Sequence, residues 1–179
     1  IDETIQKTPA DQIAKGLGLE DNLFQVGSTS KITLAGSGIS FISSSTENLS
    51  KFIDFRNAIT PGPNKMNQGM HVKYFESVSI EQQMNELKKI IKPKFELVDD
   101  LLKPLKDTGL CSYEKPTGGY FYSIDSAKSN AYEIVHNCSK LGLKLLPMGS
   151  CFPYGKDPGK KNIRLAPTFP DLASLERCV

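Results

Sequence analysis

The sequence predicts an α/β chain, and three observations lead to that class. Apolar residues recur at helical spacing from residue 80 to residue 102. Alternating stretches typical of strands follow that helix at 118–124, 143–146 and 162–166. A candidate strand over 22–27 precedes the helix. From residue 79 onward, the order helix, strand, helix, strand, strand indicates an α+β unit with a small sheet.

The elements before residue 79 follow from apolar spacing and from turn residues. Apolar residues on one face predict a helix over 1–21, which Gly16 and Gly18 end. The stretch 45–55 has a helical pattern. Because 59–64 combines two prolines with a glycine and an asparagine, it is typical of a turn, and we take it as the candidate domain junction.

The C-terminal elements carry clearer signals. Ser79 and Gln82 form a capping-box pattern at the start of the long helix. Since proline removes a helix hydrogen bond, Pro93 predicts a kink or a division into two helices. A second amphipathic helix is expected over 131–141, where Gly142 ends it.

Composition and charge exclude several classes of protein. The 179 residues are 39% hydrophobic and 23% charged, which is ordinary for a soluble globular domain. A net charge of +2 argues against a nucleic-acid or polybasic membrane surface, and the apolar runs are too short to cross a bilayer. Four cysteines without a Cys-x-x-Cys pair, and only two histidines, predict neither a zinc site nor a disulfide framework. Reduced thiols and a cytoplasmic location are therefore expected.

Lys31 is the first candidate for chemistry. It follows a predicted strand and the hydroxylated residues Ser28, Thr29 and Ser30. Partial burial and nearby cations disfavour the charged form of a lysine, which lets it form a Schiff base. The neighbouring hydroxyl and N–H groups would suit a phosphate. An ordinary surface lysine in a serine-rich turn is the alternative, whereas a nucleotide-binding loop is excluded because 27–31 lacks its second glycine.

Arg164 is the second candidate. Strand alternation places it opposite to Ile163 and Leu165. A guanidinium there can bind a carboxylate through two parallel hydrogen bonds. The alternative is an edge-strand arginine that faces water. We expect His71 and His136 to be surface or core residues rather than catalytic ones.

Several motifs together resemble one family. They are Gly27-Ser-Thr-Ser-Lys-Ile-Thr33, Gly62-Pro-Asn-Lys-Met-Asn-Gln68, Gly118-Gly-Tyr-Phe121, Phe152-Pro-Tyr-Gly-Lys-Asp-Pro158 and Asn162-Ile-Arg-Leu-Ala-Pro-Thr-Phe169. In this order they are similar to pyridoxal-phosphate-dependent aminotransferases of fold type I, and most similar to an aspartate-aminotransferase-like subgroup. The resemblance covers nearly the whole chain and implies the C-terminal portion of that fold.

The resemblance also implies roles for individual residues. Lys31 would hold pyridoxal 5′-phosphate as an internal aldimine and move the proton at the substrate Cα. Ser28 and Ser30 would bind the cofactor phosphate, and Arg164 would bind the substrate α-carboxylate. Asn67 lies in a segment that, in the family, approaches the active site of the partner subunit, so we expect it to contact substrate.

The chain departs from the family pattern at one position and lacks one region. The common motif has a phosphate-binding arginine eight residues after the lysine, where this chain has Ile39. The family's other cofactor contacts, an aspartate and a tyrosine among them, lie further upstream than this chain extends. We therefore expect 1–58 to be a remnant of the large cofactor domain and 59–179 to be the small α+β domain.

The implied activity is transfer of an amino group between an amino acid, aspartate or a similar one, and a 2-oxo acid. A homodimer with shared active sites is expected, without nucleic acid or membrane partners. Two alternatives stay open at this point. One is another enzyme of the same cofactor class, a β-lyase or a decarboxylase, and the other is a sensor domain that binds the cofactor or an amino acid without turnover.

Overall fold

The computed structural model describes residues 8–146, 149 and 152–178. The chain divides into two compact units, Gln6–Leu87 and a C-terminal unit that begins at Lys88. The assignment of 1–58 and 59–179 to two domains of the family fold stays a prediction, since it concerns a larger fold than this chain contains.

Three helices, the start of a fourth and a two-stranded sheet build the first unit. Its elements are α1 (Ala10–Leu17), a 3₁₀ turn (Glu20–Asn22), β1 (Gln25–Ser28), β2 (Ser40–Ser43), α2 (Thr46–Ile59), α3 (Lys65–Ser77) and the first turns of α4 (Ile80–Asp107). Strands β1 and β2 pair antiparallel. Gly27 faces Phe41 across this pair, and the Phe41 ring occupies the space that a side chain at Gly27 would need.

Helix α1 is shorter than the sequence predicts. It ends at Gly18, whose φ of 65° is left-handed and whose N–H donates to the carbonyls of Ala14 and Lys15. Gly18 therefore ends the helix as predicted, while Gly16 lies inside it. Residues 1–7 of the predicted helix lie outside the described residues, and at its C-terminal end Glu20 and Asp21 lie in the 3₁₀ turn rather than in α-helix.

Side-chain caps define the starts of the next helices. The Ser45 hydroxyl accepts from the Asn48 N–H, and the Asn64 side chain accepts from the Asn67 N–H. The capping box is present as predicted: the Gln82 N–H donates to Ser79 Oγ, and the Ser79 N–H donates to Gln82 Oε1.

Helix α4 does not divide at Pro93. It is continuous over 28 residues and contains both Pro93 and Pro104. Both prolines are exposed, so the carbonyls that they leave without a helix partner can bind water. The predicted division into two helices is therefore wrong.

The second unit is an antiparallel sheet that packs against the C-terminal part of α4. Its further elements are β3 (Cys111–Tyr113), β4 (Tyr122–Ser126), α5 (Ala131–Lys140), β5 (Asn162–Leu165) and α6 (Leu172–Cys178), and the strand order is β3-β4-β5. The core cluster contains Val98, Leu102, Tyr113, Tyr122, Ile124, Leu165 and Leu175. The buried Tyr122 hydroxyl donates to the Phe95 carbonyl at 2.8 Å, which satisfies the polar end of this apolar core.

One predicted strand of the second unit is almost absent. Of 143–146, only Leu146 pairs, in an isolated antiparallel bridge with Arg164. The predicted strands at 118–124 and 162–166 are found as β4 and β5, shifted or shortened by a few residues. Within the described ranges, the helices are all too short or too polar to span a bilayer.

Candidate active site

Lys31 lies in a tight turn directly after β1, and we call residues 28–33 the Lys31 turn. The N–H groups of Ile32 and Thr33 both donate to the Thr29 carbonyl, at 2.8 and 2.9 Å. This pattern is one helical turn. Lys31 is at its middle and is exposed, so its side chain is accessible to a ligand.

The two serines of the Lys31 turn contact each other. Ser28 Oγ lies 2.7 Å from Ser30 Oγ, and the Ser30 N–H donates to Ser28 Oγ at 3.1 Å. Both residues are exposed. The structure thus brings Ser28, Ser30 and Lys31 into one accessible turn, as the sequence indicated, with hydroxyl donors and an amine that suit a phosphate group.

The backbone of Ile39 closes the loop that follows Lys31. The Thr29 N–H donates to the Ile39 carbonyl at 2.8 Å, and the Ile39 N–H donates to Thr29 Oγ1 at 2.9 Å. Next to it, a Cβ on Gly38 would overlap the Ser30 backbone, whose nitrogen would be only 2.7 Å away. At the position where the common family motif has an arginine, this chain has Ile39, whose main-chain groups bind both the main chain and the side chain of Thr29.

Asn67 lies in the first turn of α3 and contacts this loop. Its Nδ2 lies 3.4 Å from the Gly38 carbonyl, at the long limit of a hydrogen bond. Its Oδ1 is buried and has no hydrogen-bond partner among the described residues. Sequence reasoning placed Asn67 near a substrate, and the structure places it beside the loop that carries Lys31.

His71 is a residue of this region to which the sequence gave no site role. It is only 2% exposed. Its Nδ1 lies 3.0 Å from the Asn67 carbonyl, and its Nε2 lies 2.8 Å from Thr33 Oγ1 and 3.3 Å from Thr29 Oγ1. Because a carbonyl only accepts, Nδ1 carries the proton, and Nε2 accepts from a threonine hydroxyl. The prediction that His71 is a core residue is consistent with its burial.

Gln83 is a second missed residue at the Lys31 turn. Its Nε2 donates to the Ile32 carbonyl at 3.1 Å. The Tyr74 hydroxyl donates to Gln83 Oε1 at 2.6 Å, which fixes the orientation of the amide. A glutamine in the first turn of a helix carries no sequence signal for this contact.

Arg164 lies in β5 of the second unit. Its neighbours Ile163 and Leu165 are buried, while Arg164 is half-buried on the other face, as alternation predicted. Its guanidinium carbon lies 3.4 Å from the centre of the Phe121 ring. This contact places the guanidinium over an aromatic face, a cation–π arrangement, and a guanidinium donates its hydrogen bonds in its own plane.

Asp157 holds the loop that leads into β5. Its carboxylate accepts from the N–H groups of Gly159, Lys161 and Asn162, at 2.9, 3.1 and 3.2 Å. Burial raises the pKa of Asp157, but these backbone N–H groups outweigh it and leave the pKa below its usual value. The charged carboxylate thereby fixes the start of the strand that carries Arg164.

Comparison with known proteins identifies the family. The fold is that of solved aminotransferase structures. The chain belongs to the aspartate amino-transferase family, whose model matches residues 6–179.

Relatives of this chain support the same family. A Mycolicibacterium smegmatis protein named as an aminotransferase is 35% identical over 180 residues, which cover 99% of this chain and 42% of the relative. The crystal structure of an aspartate transaminase from Corynebacterium glutamicum is 34% identical with a TM-score of 0.81, over 93% of this chain and 40% of that one. This chain therefore spans about two fifths of the relatives that it matches.

A more distant structure has the same fold. The α-aminoadipate aminotransferase of Thermus thermophilus, crystallised with N-(5′-phosphopyridoxyl)-L-leucine, aligns with a TM-score of 0.74 at 18% identity. The alignment covers 93% of this chain and 42% of that one. At this identity the likeness shows the α/β fold alone, and it confirms the fold class that the sequence predicts.

Proposed function

We propose that the protein carrying this chain is a pyridoxal-phosphate-dependent aminotransferase, and that Lys31 is its cofactor lysine. The observation that carries the proposal is the exposed Lys31 turn, where an amine follows two serine hydroxyls that lie 2.7 Å apart. This turn belongs to a chain of the aspartate amino-transferase family.

The donor set of the Lys31 turn fits this cofactor. Ser28 and Ser30 offer hydroxyl donors for a phosphate, and Lys31 offers an amine for an aldehyde carbon. When bound, pyridoxal phosphate supplies an electron sink for charge at the substrate Cα. The phosphopyridoxyl ligand named for the Thermus thermophilus structure supports this choice of cofactor.

Lys31 would have two tasks. Its Nζ would hold the cofactor covalently until an amino acid replaces it. The released amine would then act first as a base, taking the proton from the substrate Cα, and next as an acid, giving it to the cofactor C4′. Both tasks need a lysine whose backbone is fixed and whose side chain can move, which agrees with an exposed side chain on a hydrogen-bonded turn.

Arg164 would bind the substrate α-carboxylate through two parallel hydrogen bonds. Stacking on Phe121 reduces the rotamers open to the guanidinium before substrate arrives. A carboxylate held in this way would orient the substrate Cα–H bond for removal. Asn67 is a further candidate substrate contact, for which its buried Oδ1, without a hydrogen-bond partner in the described part of the chain, is the supporting observation.

The proposal also covers the substrates, the assembly and the location of the protein. We infer an amino acid of the aspartate type as donor and a 2-oxo acid as acceptor, in a cytoplasmic homodimer with shared active sites. The name of the Corynebacterium glutamicum structure supports the donor. In this proposal, 1–58 would belong to the large cofactor domain and 59–179 to the small domain.

Absorbance spectroscopy tests the proposal on the protein expressed from its full-length gene. Aspartate should shift the spectrum of the bound cofactor, and 2-oxoglutarate should then restore it, because the two halves of amino-group transfer are reversible. A binding domain without turnover would give no restoration. A β-lyase or a decarboxylase would release ammonia or carbon dioxide instead.

A further inference from the structure

The Lys31 turn is held from two neighbouring helices of the same unit. Helix α3 provides His71 and Tyr74, which are three residues apart and therefore on one side of the helix. The first turns of α4 provide Gln83, oriented by Tyr74. These contacts reach the turn on either side of Lys31, at Thr29 and Thr33 and at the Ile32 carbonyl.

The His71 contact is the more specific of the two. Thr29 and Thr33 are four residues apart in a single helical turn, so their side chains lie on one side of it. Both hydroxyls lie within 3.3 Å of the same imidazole nitrogen. Lys31, midway between them in sequence, therefore has its Cβ on the opposite side of the turn, away from the imidazole.

The imidazole itself cannot turn without losing a bond. It is 98% buried, and its Nδ1 proton is committed to the Asn67 carbonyl at 3.0 Å. With the proton on Nδ1, the neutral ring offers Nε2 as an acceptor for the Thr33 hydroxyl at 2.8 Å. This bond orients Thr33, while Thr29 Oγ1, 3.3 Å from the same nitrogen, accepts from the Ile39 N–H that closes the loop.

We propose that His71 is a positioning residue for Lys31: its Nε2 accepts from the Thr33 hydroxyl at 2.8 Å, lies 3.3 Å from Thr29 Oγ1, and so fixes the turn that directs the amine. In this account His71 touches neither cofactor nor substrate and moves no proton. The inference rests on the proposed function for its consequence in cofactor binding. The hydrogen-bond arrangement itself belongs to the chain with or without cofactor.

The test compares His71→Gln with His71→Leu in the protein expressed from its full-length gene. Gln places an acceptor oxygen near the position of Nε2, whereas Leu has a similar volume and no acceptor. We expect His71→Leu to raise the Kd for pyridoxal phosphate about tenfold, which corresponds to the loss of one buried hydrogen bond. His71→Gln should keep the Kd within about threefold of that of the unsubstituted protein. His136→Leu, at the exposed histidine of α5, is the matched control and should leave the Kd unchanged.

A second readout uses the protein without cofactor. Hydrogen exchange of the peptide that covers 28–39 should accelerate in His71→Leu but not in His71→Gln, with exchange in β4 unchanged. If His71→Leu fails to fold, Thr33→Val against Thr33→Ser gives the same comparison from the other end of the hydrogen bond. Equal increases in the Kd for both His71 variants, or unchanged hydrogen exchange over 28–39 in His71→Leu, would overturn the positioning role.

The two proposals fail in different ways. If pyridoxal phosphate does not bond to Lys31 in the unsubstituted protein, the proposed function is wrong. The exchange comparison still decides whether His71 fixes the turn, because it needs no cofactor.

Discussion

The guanidinium carbon of Arg164 lies 3.4 Å from the centre of the Phe121 ring, and this contact spans the paired strands β4 and β5. Phe121 immediately precedes β4, and Arg164 lies in β5 opposite Ser123. The stacking is thus a cross-strand contact that sets the position of the predicted carboxylate-binding group. It links the Gly-Gly-Tyr-Phe motif to the role of Arg164.

Replacement of Phe121 tests this stacking. Phe121→Leu should raise the KM for the amino acid about three- to tenfold with kcat within about twofold, because a cation–π contact worth about 1 kcal/mol supports binding rather than the chemical step. Steady-state kinetics measure both constants. Phe121→Tyr keeps the ring and should behave as the unsubstituted protein. A fall in kcat at unchanged KM would contradict this account.

Gly38 is required by the close approach of Ser30. Gly38→Ala would place a methyl group against the Ser30 backbone. We therefore expect the free energy of unfolding to fall by about 1–3 kcal/mol and cofactor binding to weaken. Gly69→Ala in α3 is the control, since its Cβ would meet nothing within 4 Å and alanine favours a helix by about 0.5–1 kcal/mol. Urea unfolding measures the free energy of unfolding of the two variants. Equal effects of the two changes would refute the steric argument.

Asp157 predicts a dependence of stability on pH. Its pKa is lowered in the folded protein, so its contribution is present above the pKa of the unfolded chain, near 4, and is lost as the pH falls through the folded value. Asp157→Asn replaces one carboxylate oxygen with an NH₂ group, so at least one of the three N–H groups loses its acceptor, and at pH 7 the change should lower the Tm by several degrees. The difference should shrink at acid pH.

The control for Asp157 is Asp54→Asn, at an exposed carboxylate of α2. It should change the Tm little at either pH. A difference between Asp157→Asn and the unsubstituted protein that grows on acidification would have the wrong sign for this account.

Leu102 and Leu105 of α4 form a matched pair for the core of the second unit. Leu102 is 5% exposed in the core cluster, whereas Leu105 is 41% exposed. Leu102→Ala should cost about 2–5 kcal/mol and Leu105→Ala clearly less, since only the first leaves a cavity. Urea unfolding monitored by circular dichroism measures the two free energies. A larger effect at Leu105 would contradict the packing described here.

Local patterns predicted much of the fold and part of the site. The capping box at Ser79, the C-terminal glycine of α1 and the alternation around Arg164 depend on neighbouring residues, so the sequence alone reveals them. The grouping of Ser28, Ser30 and Lys31 is local in the same way. The sequence left a kink or a division open at Pro93, because exposure of the proline, which lets the helix continue, depends on the packing of the whole helix.

Contacts between distant residues could not be predicted. Thr33 and His71 are 38 positions apart, and a histidine gives no sign of which hydroxyl it will meet. Helix α3, which brings them together, carries exposed Met66, Met70 and Val72 rather than a clear apolar stripe, so its pattern did not predict a helix. The stacking of Phe121 on Arg164 has the same origin, because strand register decides it.

The central claim is that Lys31 bonds pyridoxal phosphate. The most direct measurement is borohydride reduction of the full-length protein with the cofactor bound, followed by mass mapping of its peptides. The account predicts a phosphopyridoxyl adduct on Lys31. A folded sample with cofactor in excess that gives no adduct there, or an adduct on a different lysine, would contradict it.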